Sequence, residues 1–208
     1  MQEEQPTTTQ QPTKHSWLHH LRGFLTLLIA PICAVLLILF VVQTYQVSGD
    51  SMQNTLQNND RLIVWKGTRT LDRLLGKQYV PKRGDIIIVN EPNLSACGQT
   101  GKTIIKRVIG LPGERVVYQG GHYTVYTKDY PNGFDPDTTL AYGKAGTALL
   151  DDPDAPSVDI TLSNSQVFVS GDHRADSCDS RAFGPVQTSD IVGHMVARIF
   201  PLSSARRF

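Results

Sequence analysis

The chain has 208 residues, a formal net charge of +1 at pH 7, and three cysteines. A near-neutral chain without an extended basic stripe is not expected to bind nucleic acid, and three cysteines are too few for a disulfide-built scaffold. Only 19% of the residues are charged, against about 25% in an average soluble domain, which indicates an unusually apolar segment.

That segment follows a polar tail. Residues 1–14 (MQEEQPTTTQQPTK) contain almost nothing to bury, so we expect residues 1–23 to form a disordered tail. Residues 24–42 (FLTLLIAPICAVLLILFVV) carry no charge and would cover about 28 Å of a bilayer as a helix. A cleavable signal peptide is the alternative, but its apolar core is shorter and ends at a small-x-small site, which this segment lacks. The pattern predicts a single transmembrane helix at residues 24–42.

Basic residues near the span predict its orientation. Lys14 and Arg22 precede it, and only Arg61 follows within a similar distance. We therefore expect the N-terminus in the cytoplasm and the large domain outside. His15 and His19 can share a helix face, but no carboxylate or cysteine stands near them to complete a metal site, so no metal ion is expected.

After the span the hydrophobic pattern becomes that of strands. Short runs rich in Val, Ile, Tyr and Phe are separated by Gly, Pro, Asn and Asp, which predicts a mostly β domain. These runs are residue 47 and residues 62–64, 86–89, 103–109, 115–118, 122–126, 166–170 and 192–200. Gly120 and Gly121 predict a β-hairpin, and only residues 69–75 predict a helix, of about two turns.

The composition changes again between residues 129 and 159, where Asp, Pro, Gly, Thr and Ala replace large apolar side chains. This change indicates an insertion. We expect residues 118–165 to form an inserted cap with a hairpin, and residues 43–117 and 166–208 to form the β core. The predicted fold class is mostly β, with one N-terminal transmembrane helix followed by an all-β domain that carries a small cap.

Ser51 is the first candidate for chemistry. It follows Gly49 in a turn-like segment, and the nine residues from 43 to 51 reach at most about 30 Å when extended. Ser51 is therefore expected close to the membrane surface. A serine in a glycine turn is usually a turn former, and a nucleophile is the alternative.

Lys106 strengthens the interpretation of Ser51 as a nucleophile. Strand alternation places it on the same face as Ile104 and Val108. Desolvation on an apolar face would lower the pKa of the lysine from about 10.4 toward about 7 to 8, where it can act as a general base. The alternative is an edge-strand lysine whose charged end extends into solvent.

A charged loop at residues 171–181 (GDHRADSCDSR) is the third element. A solvated loop is the ordinary interpretation, and the loop lacks the residue order of a calcium-binding loop. Asp179 and Arg181 are two residues apart, so they lie on one side of an extended segment and can pair, with Ser177 on the same side.

Together these segments resemble the bacterial type I signal peptidase family of membrane-bound serine proteases. Residues 48–56 (SGDSMQNTL) are similar to the nucleophile box of that family, and residues 84–89 (GDIIIV) to the strand that follows it. Residues 106–114 (KRVIGLPGE) are similar to the box that bears the base, and residues 171–181 with Gly184 to the last box. The four boxes occur in the family order behind an N-terminal anchor.

The resemblance implies a Ser/Lys dyad, with Ser51 as nucleophile and Lys106 as general base. It implies that Ser177 orients the lysine through a hydrogen bond. The backbone N–H of Ser51 is expected to form half of the oxyanion hole. Some members supply the second donor from a serine two residues before the nucleophile, where this chain has Gly49.

The resemblance also implies two structural ion pairs. Asp179 and Arg181 match a pair that braces the last loop, and Arg107 and Asp172 match a second pair. Asn54 stands where the family usually has proline, which removes a fixed φ from the turn but no reacting group.

The implied activity is removal of N-terminal signal peptides after Ala-x-Ala, through an acyl-enzyme and without a cofactor. The expected partners are preproteins emerging from the secretion machinery, together with the lipid bilayer. The expected location is the plasma membrane of a bacterium, with the catalytic domain extracytoplasmic. By position, Gly49, Met52, Ile104 and Ile105 are the candidate substrate contacts.

Two other functions are compatible with parts of the pattern. A self-cleaving Ser/Lys repressor would begin with a DNA-binding domain, and a non-catalytic membrane-anchored binding protein would be expected to lose Ser51 or Lys106. Cys97 and Cys178 both face the outer compartment in the predicted topology, where a disulfide between them is possible but not required.

Overall fold

The computed structural model describes residues 15–90, 94–98, 103–144 and 155–208. It divides the chain into two compact units, Met1–Leu39 and Phe40–Phe208. Most of the predicted disordered tail, residues 1–14, lies outside the described residues.

Helix α1 (His15–Phe40) continues through Pro31 and contains a 20-residue stretch, Leu21–Phe40, that is long and apolar enough to cross a membrane. The helix starts earlier than predicted: residues 15–23 were assigned to the disordered tail, but they form the first part of α1. An established helix gains one hydrogen bond for each added residue, and no strong helix breaker separates these residues from the apolar stretch.

The helix also ends before the predicted end of the span. Strand β1 (Val42–Gln46) begins at the last residue assigned to the span and pairs antiparallel with β2 (Arg61–Trp65), so that Val42 lies opposite Trp65 and Gln46 opposite Arg61. The β-branched and aromatic residues of this segment favour a strand once a partner is present.

A large sheet of eight strands forms most of the second unit, with the order β1-β2-β10-β3-β4-β8-β9 and with β11 paired to β10. After β2 comes α2 (Gly67–Leu74), close to the helix predicted at residues 69–75. The other strands of this sheet are β3 (Ile86–Asn90), β4 (Thr103–Gly110), β8 (Gln166–Ser170), β9 (Val186–Gln187), β10 (Ile191–Phe200) and β11 (Arg206–Arg207). The predicted mostly β fold is confirmed.

A second sheet of three strands forms the cap, in the order β6-β5-β7. Its strands are β5 (Arg115–Gln119), β6 (His122–Tyr126) and β7 (Val158–Thr161). The hairpin between β5 and β6 turns at Gly120 and Gly121, as predicted, and both glycines have positive φ. Strand β5 begins three residues before the expected boundary at residue 118, and β7, which was not predicted, lies within the expected cap at residues 118–165. Short helices α3 (Pro136–Thr139) and α4 (Ala141–Lys144) follow β6, and α5 (Ser180–Phe183) follows β8.

The core covers both faces of the large sheet. Along β3, Ile87 and Val89 pack into one apolar cluster, while Ile86 and Ile88 contribute to clusters on the other face. A further cluster joins the cap to the large sheet and includes the buried Phe168 of β8. Because both faces are covered, a lysine near the middle of β4 is surrounded by protein.

Candidate active site

Ser51 lies in a turn that the backbone holds closely. The preceding strand segment is tied by hydrogen bonds from Val47 N to Asp60 O and from Asn59 N to Val47 O, both 2.9 Å. Met52 and Leu56 are buried on either side of the next turn. Ser51 itself is half-buried. Its backbone is held in an ordered turn, and its hydroxyl is accessible from a cleft.

Lys106 reaches the serine from β4. Its Nζ donates a hydrogen bond to Ser51 Oγ at 2.5 Å, and the residue is only 4% exposed. The prediction from strand alternation that Lys106 lies on a buried face is confirmed. The alternative, in which its charged end extends into solvent, is wrong.

Burial determines the protonation of this lysine. The pKa of Lys106 is lowered from 10.5 to about 8. Burial is the largest cause and the charge of Arg181 acts in the same direction, while Asp179, Asp172 and Asp176 raise the pKa. A pKa of about 8 leaves a usable neutral fraction at physiological pH. In its neutral form the amine can accept the proton of the Ser51 hydroxyl.

The last loop contacts Ser51 through its backbone. His173 N donates to Ser51 O at 3.1 Å. A Cβ at Gly171 would collide with Ser51 O and with Ser177 Oγ. Only glycine allows this close approach, and the contact fixes the loop against the turn that contains Ser51.

The hydrogen bond expected from Ser177 to Lys106 is not present in the structure. Among the described residues, Ser177 Oγ and His173 Nδ1 are buried side-chain polar atoms without a hydrogen-bond partner. Ser177 therefore lies in the loop beside the dyad, and its role in orienting the lysine stays a prediction.

Arg107 and Asp172 form one of the two expected ion pairs. The guanidinium donates from Nε to Asp172 Oδ1 at 2.7 Å and from one terminal nitrogen to Oδ2 at 2.6 Å. Thr55 Oγ1 donates to the same carboxylate at 2.5 Å, and Arg107 also donates to Gly84 O at 2.8 Å. Both ion-pair partners are buried, so this pair and its contact with Thr55 hold the segment after Ser51, β4 and the last loop together.

Asp179 and Arg181 form the second pair, within the last loop. Arg181 donates to both carboxylate oxygens of Asp179 at 2.9 Å, and Gly171 N donates to Asp179 Oδ2 at 3.0 Å. Burial alone would raise the pKa of Asp179, but the hydrogen bonds and charge of Arg181, with the Gly171 N–H, lower it below its ordinary value. The carboxylate stays ionised and holds the loop.

A third buried ion pair was not predicted. Arg174 forms a bidentate pair with Asp137 of α3, and its guanidinium lies 4.8 Å from the ring centroid of Tyr123. The partners are 37 residues apart, so only the folded cap brings them together. In the sequence, Arg174 inside the last box was a signal that an ion pair could form there, but its partner Asp137 could not be identified from the sequence.

A disulfide joins Cys97 to Cys178, with a Cα–Cα distance of 6.0 Å. Cys97 ends the short 3-10 helix Leu94–Cys97 between β3 and β4, and Cys178 lies in the last loop. The bond links two walls of the cleft beside the dyad.

The dyad opens into a cleft of about 580 Å³ whose lining includes all four candidate substrate contacts, Gly49, Met52, Ile104 and Ile105. Residues 103–106 of β4 pair with β3 on one side, and pairing with β8 begins only at Arg107. Within the part of the chain that the structure describes, this leaves a free strand edge next to the dyad.

Comparisons with known proteins agree on one family. The family described as "Signal peptidase, peptidase S26" matches residues 20–200. A probable signal peptidase I-1 of Synechocystis sp. is 31% identical over 194 residues, 92% of this chain and 88% of the relative. Signal peptidase I T of Bacillus subtilis is 30% identical over 209 residues, 100% of this chain and 99% of the relative. A crystal structure of a signal peptidase I from Enterococcus faecalis is 27% identical, with a TM-score of 0.41, and covers 57% of this chain and 98% of that chain.

Proposed function

Because the chain belongs to the signal peptidase family S26, whose members remove signal peptides as serine endopeptidases, we propose that Ser51 and Lys106 are its catalytic dyad. The observation that carries this proposal is the 2.5 Å contact between Lys106 Nζ and Ser51 Oγ. The lowered pKa of Lys106, about 8, supports it, since a base must be neutral before it can accept a proton.

The reaction proceeds through an acyl-enzyme. Neutral Lys106 takes the hydroxyl proton of Ser51, and the serine oxygen attacks the carbonyl carbon of the residue before the cut. The N–H of Ser51 stabilises the resulting oxyanion. Lys106 then gives the proton to the leaving amine, and a water molecule activated by the same lysine hydrolyses the ester.

We assign one oxyanion donor, the backbone N–H of Ser51, and the side chain at position 49 cannot supply the second because it is glycine. Gly49 has a φ of +95°, and its N–H donates to Asn58 Oδ1 at 3.3 Å. The backbone of Gly49 is therefore engaged elsewhere. The Ser51 N–H is the donor that we assign.

Substrate binding follows from the free edge of β4. An extended segment can add to residues 103–106 as a further strand, and alternate side chains of a strand point to the same side. In an Ala-x-Ala sequence the two alanines would therefore face the same wall of the cleft. Ile105 and Met52 contribute to one apolar cluster beside the cleft, and Ile104 lies on the opposite face of β4. Small apolar side chains fit such a wall close to the dyad.

The proposed location is a bacterial plasma membrane, with a single span, a cytoplasmic N-terminus and an extracytoplasmic catalytic domain. The apolar stretch Leu21–Phe40 supports the span. The disulfide between Cys97 and Cys178 supports an outer, oxidising compartment for the domain. Preproteins held in the same bilayer would meet the site at a raised effective concentration.

The test is cleavage of a purified preprotein by the detergent-solubilised full chain, with sequencing of the new N-terminus. We expect no cleavage by Ser51→Ala or Lys106→Ala, and no rescue by Lys106→Arg, because guanidinium stays protonated. Ser177→Ala should retain partial activity. Wild-type activity should rise with pH through about 8. Lys82→Ala, at an exposed lysine, is the matched control.

Substantial cleavage by folded Lys106→Ala would refute the Ser/Lys assignment. Cleavage that does not follow small residues at the first and third positions before the cut would refute the Ala-x-Ala specificity alone.

A further inference from the structure

The disulfide between Cys97 and Cys178 forms part of the wall of the cleft beside the dyad. Cys97 ends the short 3-10 helix Leu94–Cys97, which precedes β4, and Cys178 lies in the last loop. Leu94 and Cys178 line the same cleft as the proposed dyad. The bond joins residues 81 positions apart in the chain, so all of β4 lies inside a covalently closed loop.

Few other contacts join these two segments. Leu94 is buried, and Cys178 and Phe183 pack against the apolar cluster that contains it. Among the residues that the structure describes, no hydrogen bond or ion pair joins the helix Leu94–Cys97 to the last loop. The disulfide is therefore the bond that adds to this apolar packing and holds the helix against the loop.

The last loop places Ser177 next to Ser51. The side-chain oxygen of Ser177 and the carbonyl oxygen of Ser51 both lie within 2.4 Å of the position that a Cβ at Gly171 would occupy. Within the described part of the chain, Ser177 Oγ is buried without a hydrogen-bond partner. The position of Ser177 therefore depends on the backbone on either side of it, and its neighbour Cys178 is covalently attached to the helix.

The other half of the bond borders the edge of β4 that we propose for substrate binding. Leu94, Thr103 and Ile104 line the cleft together. Asn90 pairs with Thr103, so the connection that carries Cys97 leaves and rejoins the sheet at this pair. If the helix moved away from the last loop, one wall of the cleft would move away from the substrate edge.

The bond is accessible to a small reductant. Cys97 and Cys178 are both half-buried, and Cys178 lines the cleft. One thiolate of a dithiol attacks a cysteine sulfur and forms a mixed disulfide, and the second thiol of the reductant then resolves it. Two electrons pass to the protein. The products are two cysteine thiols and the cyclic, oxidised dithiol.

We propose that the Cys97–Cys178 disulfide is a redox switch of the peptidase. With the bond formed, the helix Leu94–Cys97 and the last loop hold the dyad and the substrate edge in place. Reduction by a dithiol releases the two walls and lowers turnover, and reoxidation restores it. A chain made in a reducing cytoplasm would then gain full activity only after its domain reaches an oxidising compartment. The inference rests on the proposed dyad and on the proposed extracytoplasmic location.

The test measures cleavage by the detergent-solubilised full chain in both redox states. Cys33, the free cysteine among the described residues, is first changed to Ser. The protein is equilibrated in buffers with different ratios of reduced to oxidised dithiothreitol, and its free thiols are measured by a maleimide gel shift. The substrate is a preprotein without cysteines. Near the lysine pKa of about 8, we expect the rate of cleavage to fall severalfold as the bond is reduced, and to return on oxidation.

Cys97→Ser with Cys178→Ser is the matched variant. Its activity should equal that of the reduced protein and should not respond to dithiothreitol. Its pH profile separates a switch from a general loss of folding. When the walls separate and water enters, the pKa of Lys106 should rise from about 8 toward its ordinary value. The pH dependence of kcat should therefore shift to higher pH, while the circular dichroism spectrum stays unchanged.

Three outcomes would overturn the switch. Equal activity of the oxidised and fully reduced proteins would do so and leave the dyad intact. Loss of the circular dichroism spectrum on reduction would show that the bond acts on folding alone. Sensitivity to dithiothreitol that persists in the double serine variant would show that the reductant acts elsewhere. If the oxidised protein does not cleave the preprotein, the proposed function itself fails, so the two failures are distinguishable.

Discussion

Replacing Lys106 with methionine should stabilise the protein while removing its activity. The folded-state pKa of Lys106 is about 8, below its ordinary value of 10.5, so the unfolded chain binds more protons at this site between those pH values. Stability of the wild type therefore rises as the pH rises through that window. Below it, the full penalty for burying the lysine is present. Methionine has a similar length and no charge, so it removes the penalty.

The magnitude follows from the difference between the two pKa values. One pKa unit corresponds to about 1.4 kcal/mol, so the burial of Lys106 costs about 3 kcal/mol at pH 7 and about 1 kcal/mol at pH 9.5. The stability advantage of Lys106→Met should therefore shrink by about 2 kcal/mol between these pH values. Loss of the hydrogen bond to Ser51 reduces the advantage at both pH values, and its effect cancels from the difference.

The assay is guanidinium unfolding of wild type and Lys106→Met in the same detergent at both pH values, followed by circular dichroism. Lys82→Met, at an exposed lysine, controls for the general loss of a positive charge. A stability difference between wild type and Lys106→Met that does not change with pH would refute a depressed lysine pKa. It would also remove the physical basis for Lys106 as the general base.

Two further predictions concern the last loop. Asp172→Asn leaves the buried guanidinium of Arg107 without its counterion and should destabilise by about 3 to 5 kcal/mol, measured by chemical unfolding. The matched control is Asp159→Asn, which breaks the exposed pair with Arg115 and should change stability little. Gly171→Ala should cost about 1 to 3 kcal/mol of stability because its methyl group meets the nucleophile backbone, and it should lower kcat for peptide cleavage more than it changes KM.

Each of these predictions has an opposing outcome. Equal destabilisation by Asp172→Asn and Asp159→Asn would show that burial does not distinguish the two pairs. A Gly171→Ala protein with the wild-type melting temperature and turnover would show that the loop can move away from the nucleophile without consequence.

The fold was largely predictable where the local sequence favours a strand and the strand is also buried in the sheet. Residues 86–89 and 103–109 are strands in a covered sheet, and their runs of β-branched side chains suit a buried, pleated surface. Strand β1 was missed because its sequence (VQTYQ) has no apolar run of its own, and pairing with β2 decides its conformation. Strand β7 was missed because the chain around it is polar, and pairing with β5 decides its conformation.

The site was predictable to the extent that its residues occur in contiguous boxes. The structure places Ser51 beside Lys106 and contains the pairs Arg107–Asp172 and Asp179–Arg181. What could not be predicted depends on contacts between distant segments. Whether Cys97 and Cys178 pair, for example, depends on a distance that no local pattern contains.

The ion pair between Arg174 and Asp137 limits how the cap can change in evolution or be removed by design. The Arg174 side chain is fully buried, and Tyr142 donates a further hydrogen bond to Asp137 at 2.7 Å. A shortened chain without the cap would leave this guanidinium inside the protein with no counterion. Trimming the cap to obtain a smaller protease would therefore require a compensating change at Arg174, in a loop that the cap does not contain.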